Sequence, residues 1–238
     1  MKKLILIIFC LIISPNLFSQ SYTVNFVKSM KVNVVEDSTN TDEEIEYLNF
    51  VKQINKNLEN INYKLLLNEN ESIFKVEKAM KIDENDRQIK LATRLGGGRG
   101  EYYTNFISKK ILQKADGFGQ LFLISSNLKD FKWKITKEKK IINGKQTYKA
   151  ILMNENVENK TYAWFCPDIP STTGPLGYGN LPGLILELHL KNGFAFYANR
   201  IVISSDVIEI TPPAKGNKVT REEFEKIEEE AMNNIKKG

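Results

Sequence analysis

The hydrophobic pattern changes period along the chain. "YTVNFVKSMKVNVV", from Tyr22, is rich in β-branched and aromatic residues and predicts a strand. In "TDEEIEYLNFVKQINKNLENI" apolar Ile45, Leu48, Val51, Ile54 and Leu58 recur at helical spacing, and Thr41 with Glu44 forms a capping box. "NYKLLLNEN" and "SIFKVEKAM" are strand-like runs meeting at Glu69-Asn70-Glu71. A polar stretch from Asp83 to Arg94, a short helix or a loop, ends in Gly96-Gly97-Gly98.

From residue 100 to 210 one strand pattern follows another: "EYYTNFI", "KKILQKA", "QLFLISS", "WKITKEKKI", "KQTYKAIL", "KTYAWF", "LILELHL", "FAFYANRIVI" and "VIEI". Turn residues sit at the joints, including Asp116-Gly117, Asn143-Gly144 and Asn192-Gly193. The last two are tight-hairpin signals, because glycine accepts positive φ without a Cβ penalty. Spacings near ten residues favour hairpins over βαβ units. "TREEFEKIEEEAMNNIKK" closes the chain as a helix with Thr220 and Glu223 as its capping box and a narrow stripe of Phe224, Ile227, Ala231 and Ile235. The expected fold is mainly β (α+β), a curved antiparallel sheet or half-barrel partly covered by helices near 41–60 and 220–237. With no repeat and no linker, residues 21–238 read as a single domain.

Residues 1–20, "MKKLILIIFCLIISPNLFSQ", have the layout of a secretory signal: two lysines, an apolar run from Leu4 to Ile13, then a break at Ser14-Pro15-Asn16. The run is shorter than the ~20 residues a membrane span requires. Cleavage is placed near Gln20–Ser21. Removing Lys2 and Lys3 reduces the net charge from +5 to +3, and the remaining charges are well mixed, with no basic-aromatic block suited to nucleic acid. No later run is apolar enough to cross a membrane. Cleavage also removes Cys10 and leaves Cys166 alone after Trp164-Phe165, so the mature chain can form no internal disulfide or paired-cysteine zinc site. Cys166 reads as a buried thiol.

"GYGNLPG", residues 177–183, superficially suggests a dinucleotide fingerprint, but its third glycine falls one residue late and a strand pattern follows it instead of a helix. "GGGRG" lacks a following G-K-[ST]. Nucleotide binding is rejected, and no cofactor or metal is expected. Pro182-Gly183 fits the centre of a type II turn. Beyond it Leu184, Leu186, Leu188 and Leu190 are expected on one face of a strand, with Ile185, Glu187 and His189 on the other. The segment from Pro167 to Gly183 holds four of the chain's seven prolines. So stiff a connection suggests a specified path, and long loops in compact domains are commonly functional.

His189 is the only histidine, so any Ser-His-Asp or Cys-His site would have to use it. Glu187 is two residues away, roughly 7 Å along the strand. The plainer reading is two polar residues on a solvated strand face. Asp168 stands out among the acids for its stiff setting, where its simpler role is to cap a turn after Pro167. Asp168, Glu187 and His189 are therefore the candidate catalytic set. Trp133, Trp164, Tyr102 and Tyr103 read first as packing. The candidate ligand contacts are Trp164, Tyr178, Asn180, Leu184 and Leu186.

"NLPGLILEL" resembles the signature block of the GLPGLI family, exported proteins of certain Gram-negative bacteria, with Asn180 where that block begins with glycine. Asn180, Leu181, Pro182, Gly183, Leu184 and Ile185 form this structural motif. "EYYTNF", "WKITKEKKIINGKQTYKA" and "YAWFCPDIP" resemble the family's upstream blocks in the same order, so the resemblance extends over Tyr22–Val207. Thr147 stands where the family often has cysteine, and Cys166 where a small hydroxyl residue is common. The family's function is unknown, so the resemblance implies export to the periplasm or envelope and a shared fold, without a mechanism. The expected function is a non-enzymatic binding or carrier module for a hydrophobic ligand or an envelope protein, with the 167–183 loop shaping the mouth of an apolar groove. The alternatives are a carboxylate-dependent periplasmic hydrolase and a structural partner of an envelope complex.

Overall fold

The computed structural model describes residues 20–31, 41–58, 61–77, 100–155 and 157–237. The leader through residue 19, the 83–94 stretch and the triple glycine lie outside the described residues. A 12-stranded sheet dominates, built from β1 (Ser21–Met30), β2 (Asn62–Leu67), β3 (Glu71–Glu77), β4 (Glu101–Asn105), β5 (Lys110–Gly117), β6 (Gln120–Asn127), β7 (Lys132–Ile142), β8 (Lys145–Asn154), β9 (Val157–Cys166), β10 (Leu184–His189), β11 (Phe194–Ser204) and β12 (Asn217–Thr220). The helices are α1 (Asp42–Leu58) and α2 (Arg221–Lys237). Among the described residues the fold is therefore mainly β with two helices.

Sheet order is β12-β6-β5-β4-β3-β2-β1-β11-β10-β9-β8-β7. Every neighbouring pair is antiparallel except β12 with β6, which is parallel. β12 was not expected, and "VIEI" is not a strand. Its Ile210 is instead buried against Ile73 and Tyr103. The Ile208 amide donates to Ser21 Oγ at 3.0 Å, and the Ile208 carbonyl accepts from Asn68 Nδ2 at 3.0 Å. Side chains therefore satisfy this segment's backbone groups where a strand partner would otherwise do so.

Both capping boxes form. The Glu44 amide donates to Thr41 Oγ1 at 3.3 Å and the Thr41 amide to Glu44 Oε2 at 2.8 Å. Thr220 and Glu223 repeat the exchange at 3.2 and 2.7 Å. Leu48, Val51, Ile54 and Leu58 form the buried stripe of α1, leaving Ile45 exposed.

Two contacts show the curvature. Lys140 on β7 hydrogen-bonds Glu187 on β10 at 2.6 Å, although a flat sheet would hold strands three places apart at about 14 Å. Asn143, in the β7–β8 turn, donates to the Ala198 carbonyl on β11 at 2.8 Å. The hairpin thus bends back over one side of β9–β11. On the other side, the Pro167–Gly183 loop crosses the sheet. Thr173 accepts from the Ile185 amide of β10 at 3.0 Å and lies 3.4 Å from Ser72 Oγ of β3. Ile169 and Leu181 in that loop join the main core beside Phe165, Ile185 and Leu188. The loop thus covers this face of the sheet, where the curved-sheet reading expected an open apolar groove.

Candidate functional site

β10 does not alternate as expected. Leu184 pairs with Cys166, Ile185 with Phe165, and Glu187 with Trp164, so Leu186 is the extra residue of a β-bulge. The bulge puts Leu184 on the Trp164–Glu187 side and Leu188 on the Ala163 side, correcting the single leucine face. With both sides of β10 covered, every residue from Leu184 to His189 is buried. Leu184 and Leu186, expected to touch a ligand, are packed wholly inside the core, and Trp164 joins them there.

Glu187 and His189 do come together, with His189 Nε2 3.1 Å from Glu187 Oε2. They are 8% and 5% exposed, which replaces the solvated strand face with a buried pair. His189 stacks on Tyr162 at 4.2 Å and meets Tyr197 edge-on at 5.3 Å, while Lys140 lies over Trp164 at 4.4 Å. Burial pushes the Glu187 carboxyl up, but hydrogen bonds from His189 and Lys140 outweigh it and hold the group below its usual range. Burial pushes the His189 imidazole down. A neutral ring donating from Nε2 satisfies Glu187 and leaves the buried Nδ1 with no hydrogen-bond partner. Asp168 does not enter this cluster. It lies exposed in the turn after Cys166, while Glu187 is held by His189 and Lys140. Burial pushes the Cys166 thiol up, as suits a packed cysteine and not a reactive one.

An open site exists at the other half of the sheet. A cleft of about 290 Å³ lies between the short 3-10 turn Pro175–Gly177 and the strands β4–β6, with the first residue of α2 at its wall. Tyr102, Gln113, Lys129, Phe131, Tyr178 and Arg221 give it its chemistry. Phe131 stacks on Tyr178 with centroids 4.7 Å apart, and the Trp133 indole donates to the Gly179 carbonyl at 2.8 Å beside them. Gln113 Nε2 donates to Tyr102 Oη at 3.0 Å, and Arg221 Nη2 donates to Gln113 Oε1. Burial holds the Tyr102 phenol protonated, its pKa pushed up to about 12. Asn180, with φ 68°, sits exposed nearby and donates to Asp130 Oδ1 at 3.1 Å.

Of the expected ligand contacts, only Tyr178 lines this cleft. Tyr102, read from sequence as packing, lines it too. Phe131, Lys129, Gln113 and Arg221 were not singled out. Arg221 carried one signal: a cation in the first turn of a helix opposes the helix dipole, so another interaction has to justify it. Among the described residues no group of three or more His, Cys, Asp or Glu is arranged to hold a metal ion, and no helix is long and apolar enough to cross a membrane.

Fold and site define an open, curved mainly-β unit with one sheet face covered by the crossing loop and an aromatic, cationic cleft beside it. A family model described as "Protein of unknown function (Porph_ging)" matches residues 153–187, which span β9, the crossing loop and β10 through Glu187. Two solved structures of PNGF-II, in space groups P21 and C2, are similar in fold, each with a TM-score of 0.54 and 14% identity over 87% of this chain. The match covers 33% and 32% of those chains, so this chain spans about a third of the PNGF-II length. No curated protein matches.

Proposed function

We propose that this chain is an exported, non-enzymatic binding module of the Gram-negative cell envelope, with residues 1–20 as its signal and residues 21–238 as one GLPGLI-like unit. The observation that carries the reading is the cleft at Tyr102, Phe131, Tyr178 and Arg221, an accessible concavity with paired rings and converging polar groups. Recurrence of the fold as a third of a longer chain supports a module that can be attached to other machinery. The burial of Leu184 and Leu186 and the packing of the 167–183 loop onto the core argue against an acyl chain held in the sheet's interior. A ligand therefore binds beside the loop, against its Leu176–Tyr178 segment. For Glu187 and His189, enclosure beneath the β7–β8 hairpin supports a role in holding the sheet together over acid–base work.

Native mass spectrometry of the protein purified from its producing cells tests the reading. A reproducible small-molecule mass, lost when Phe131 and Tyr178 are both changed to Ala while the fold remains intact, is the expected result. A bare polypeptide mass, together with stoichiometric capture of an envelope protein, would instead favour the structural-partner alternative.

A further inference from the structure

We infer that the cleft takes a small aromatic oxyanion, a single ring bearing a carboxylate or phosphate, with the acid group held by Arg221, Lys129 and the Tyr102 hydroxyl and the ring laid against the Phe131–Tyr178 stack. This rests on the binding-module reading and specifies the ligand of that site. Charge is the first argument. Arg221 gives one hydrogen bond to Gln113, its Nε is buried without a partner, and no carboxylate pairs with it among the described residues. An arginine without a paired acid favours an oxyanion as its partner. Lys129 adds a second cation at the rim, and none of the described lining residues is acidic.

The hydrogen-bond chain supplies direction. Because Arg221 donates to the Gln113 oxygen, the Gln113 amide nitrogen must face Tyr102, whose oxygen accepts from it. The Tyr102 proton is therefore free to be donated into the cleft. Donors from α2 and β4 thus line the same cleft, linked through Gln113. Across from them, the Phe131–Tyr178 pair offers a flat apolar wall, kept in place by the Trp133 bond to Gly179. At about 290 Å³ the space falls at the small end of ligand pockets, roughly 300–1,000 Å³, enough for one ring and its acid group but not a long chain.

Calorimetric titration with phenyl phosphate, benzoate, inorganic phosphate and neutral benzyl alcohol tests the inference. Phenyl phosphate or benzoate should bind at least about tenfold tighter than benzyl alcohol, as charge-assisted hydrogen bonds to a fixed donor set require. Whichever acid binds more tightly identifies the acid group. Arg221→Gln should remove this preference, leaving any benzyl alcohol binding unchanged. Phe131→Ala should weaken the aryl acids without affecting inorganic phosphate. Because Arg221 opens α2, the exposed Lys129→Gln serves as the second variant, with a loss of about threefold and a shallower salt dependence. Equal affinity for benzyl alcohol, tighter binding of inorganic phosphate than of phenyl phosphate, or binding of none of the four would overturn this ligand class. None of these results would overturn the module reading, which depends on the mass carried by the protein from its cells.

Discussion

The two halves of the sheet use their polar residues in opposite ways. At the β7–β11 end, Glu187 and His189 are enclosed together beside the partly exposed Lys140, and the titration of Glu187 and His189 is shifted by burial and by their neighbours. At the β4–β6 end, Arg221, Gln113 and Tyr102 form a hydrogen-bonded chain along the wall of an open cleft. Glu187 and His189, the adjacent pair that looks most chemical in the sequence, are thus closed off, and most of the residues around the open cleft look ordinary. Perturbed titration marks functional sites only as a probability, because buried structural ion pairs perturb it equally.

The largest test bears on the loop that closes the first half. Gly183 has φ 151°, and a Cβ there would lie 2.3 Å from the Cys166 carbonyl oxygen, a backbone atom that cannot move alone. Gly183→Ala should cost about 3 kcal/mol or more in chemical denaturation, since it combines overpacking with a strained φ. A cost below about 1 kcal/mol would mean that the loop is not held against β9 as described.

Lys28 provides the next test, with the opposite sign. It is 3% exposed, its Nζ has no hydrogen-bond partner, and it lies 4.6 Å from the Phe194 centroid, 5.3 Å from Phe196 and 5.7 Å from Tyr63. Burial lowers its pKa to about 7 from 10.5. The folded state therefore binds fewer protons than the unfolded state between those values, so this group makes stability rise with pH from about 7 towards 10.5. Lys28→Met should abolish that rise and stabilise the protein by roughly 2 kcal/mol at pH 7, since burying the ammonium costs more than its contact with the rings returns. If the rise persists in Lys28→Met, another group causes it.

Glu187→Gln probes the enclosed cluster itself. Removing one partner of a buried ion pair is costly, but Lys140 is partly exposed, so the expected loss is about 2 kcal/mol instead of the full penalty. The depressed Glu187 pKa also fixes a pH signature. Its contribution is present above the unfolded value of 4.5 and is lost as pH falls through the lower folded value. The acid limb of the wild-type stability curve should therefore be steeper than that of Glu187→Gln, measured by urea midpoints from pH 6 downward. Parallel limbs would remove Glu187 from the account.

Much of the fold was legible in the sequence because its cues are local. Asn143 and Gly144, with φ 49° and 74°, turn the β7–β8 hairpin as the dipeptide implied. Asp116-Gly117 indicated the right joint two residues early. The positive φ values fall on Phe118 and Gly119, and Gly117 ends β5. The bulge at Leu186 was illegible, since LILEL alternates perfectly as text and only the pairing with β9 shows the inserted residue. Burial of the Glu187–His189 pair was illegible for a similar reason. Their shared face follows from the period of two, but the cover comes from a hairpin that precedes β10 by some forty residues and reaches it only because the sheet curls. The cleft draws Tyr102, Gln113, Phe131, Tyr178 and Arg221 from five separate segments, so no window of sequence contains it.

The smallest expected stability effect is as informative as the largest. Lys129 lies exposed at the cleft rim, and the described structure gives it no ion pair. Lys129→Gln should change the unfolding free energy by less than about 0.5 kcal/mol, the range of surface substitutions away from special features. In the enclosed half, altering a charge should change stability first, because the buried Glu187 carboxylate depends on Lys140 and His189 in place of water. At the open rim, altering a charge should change ligand affinity and leave stability untouched. A stability loss of about 1 kcal/mol or more in Lys129→Gln would mean that the rim cation supports the fold, and the contrast between the two halves would fail at its most exposed residue.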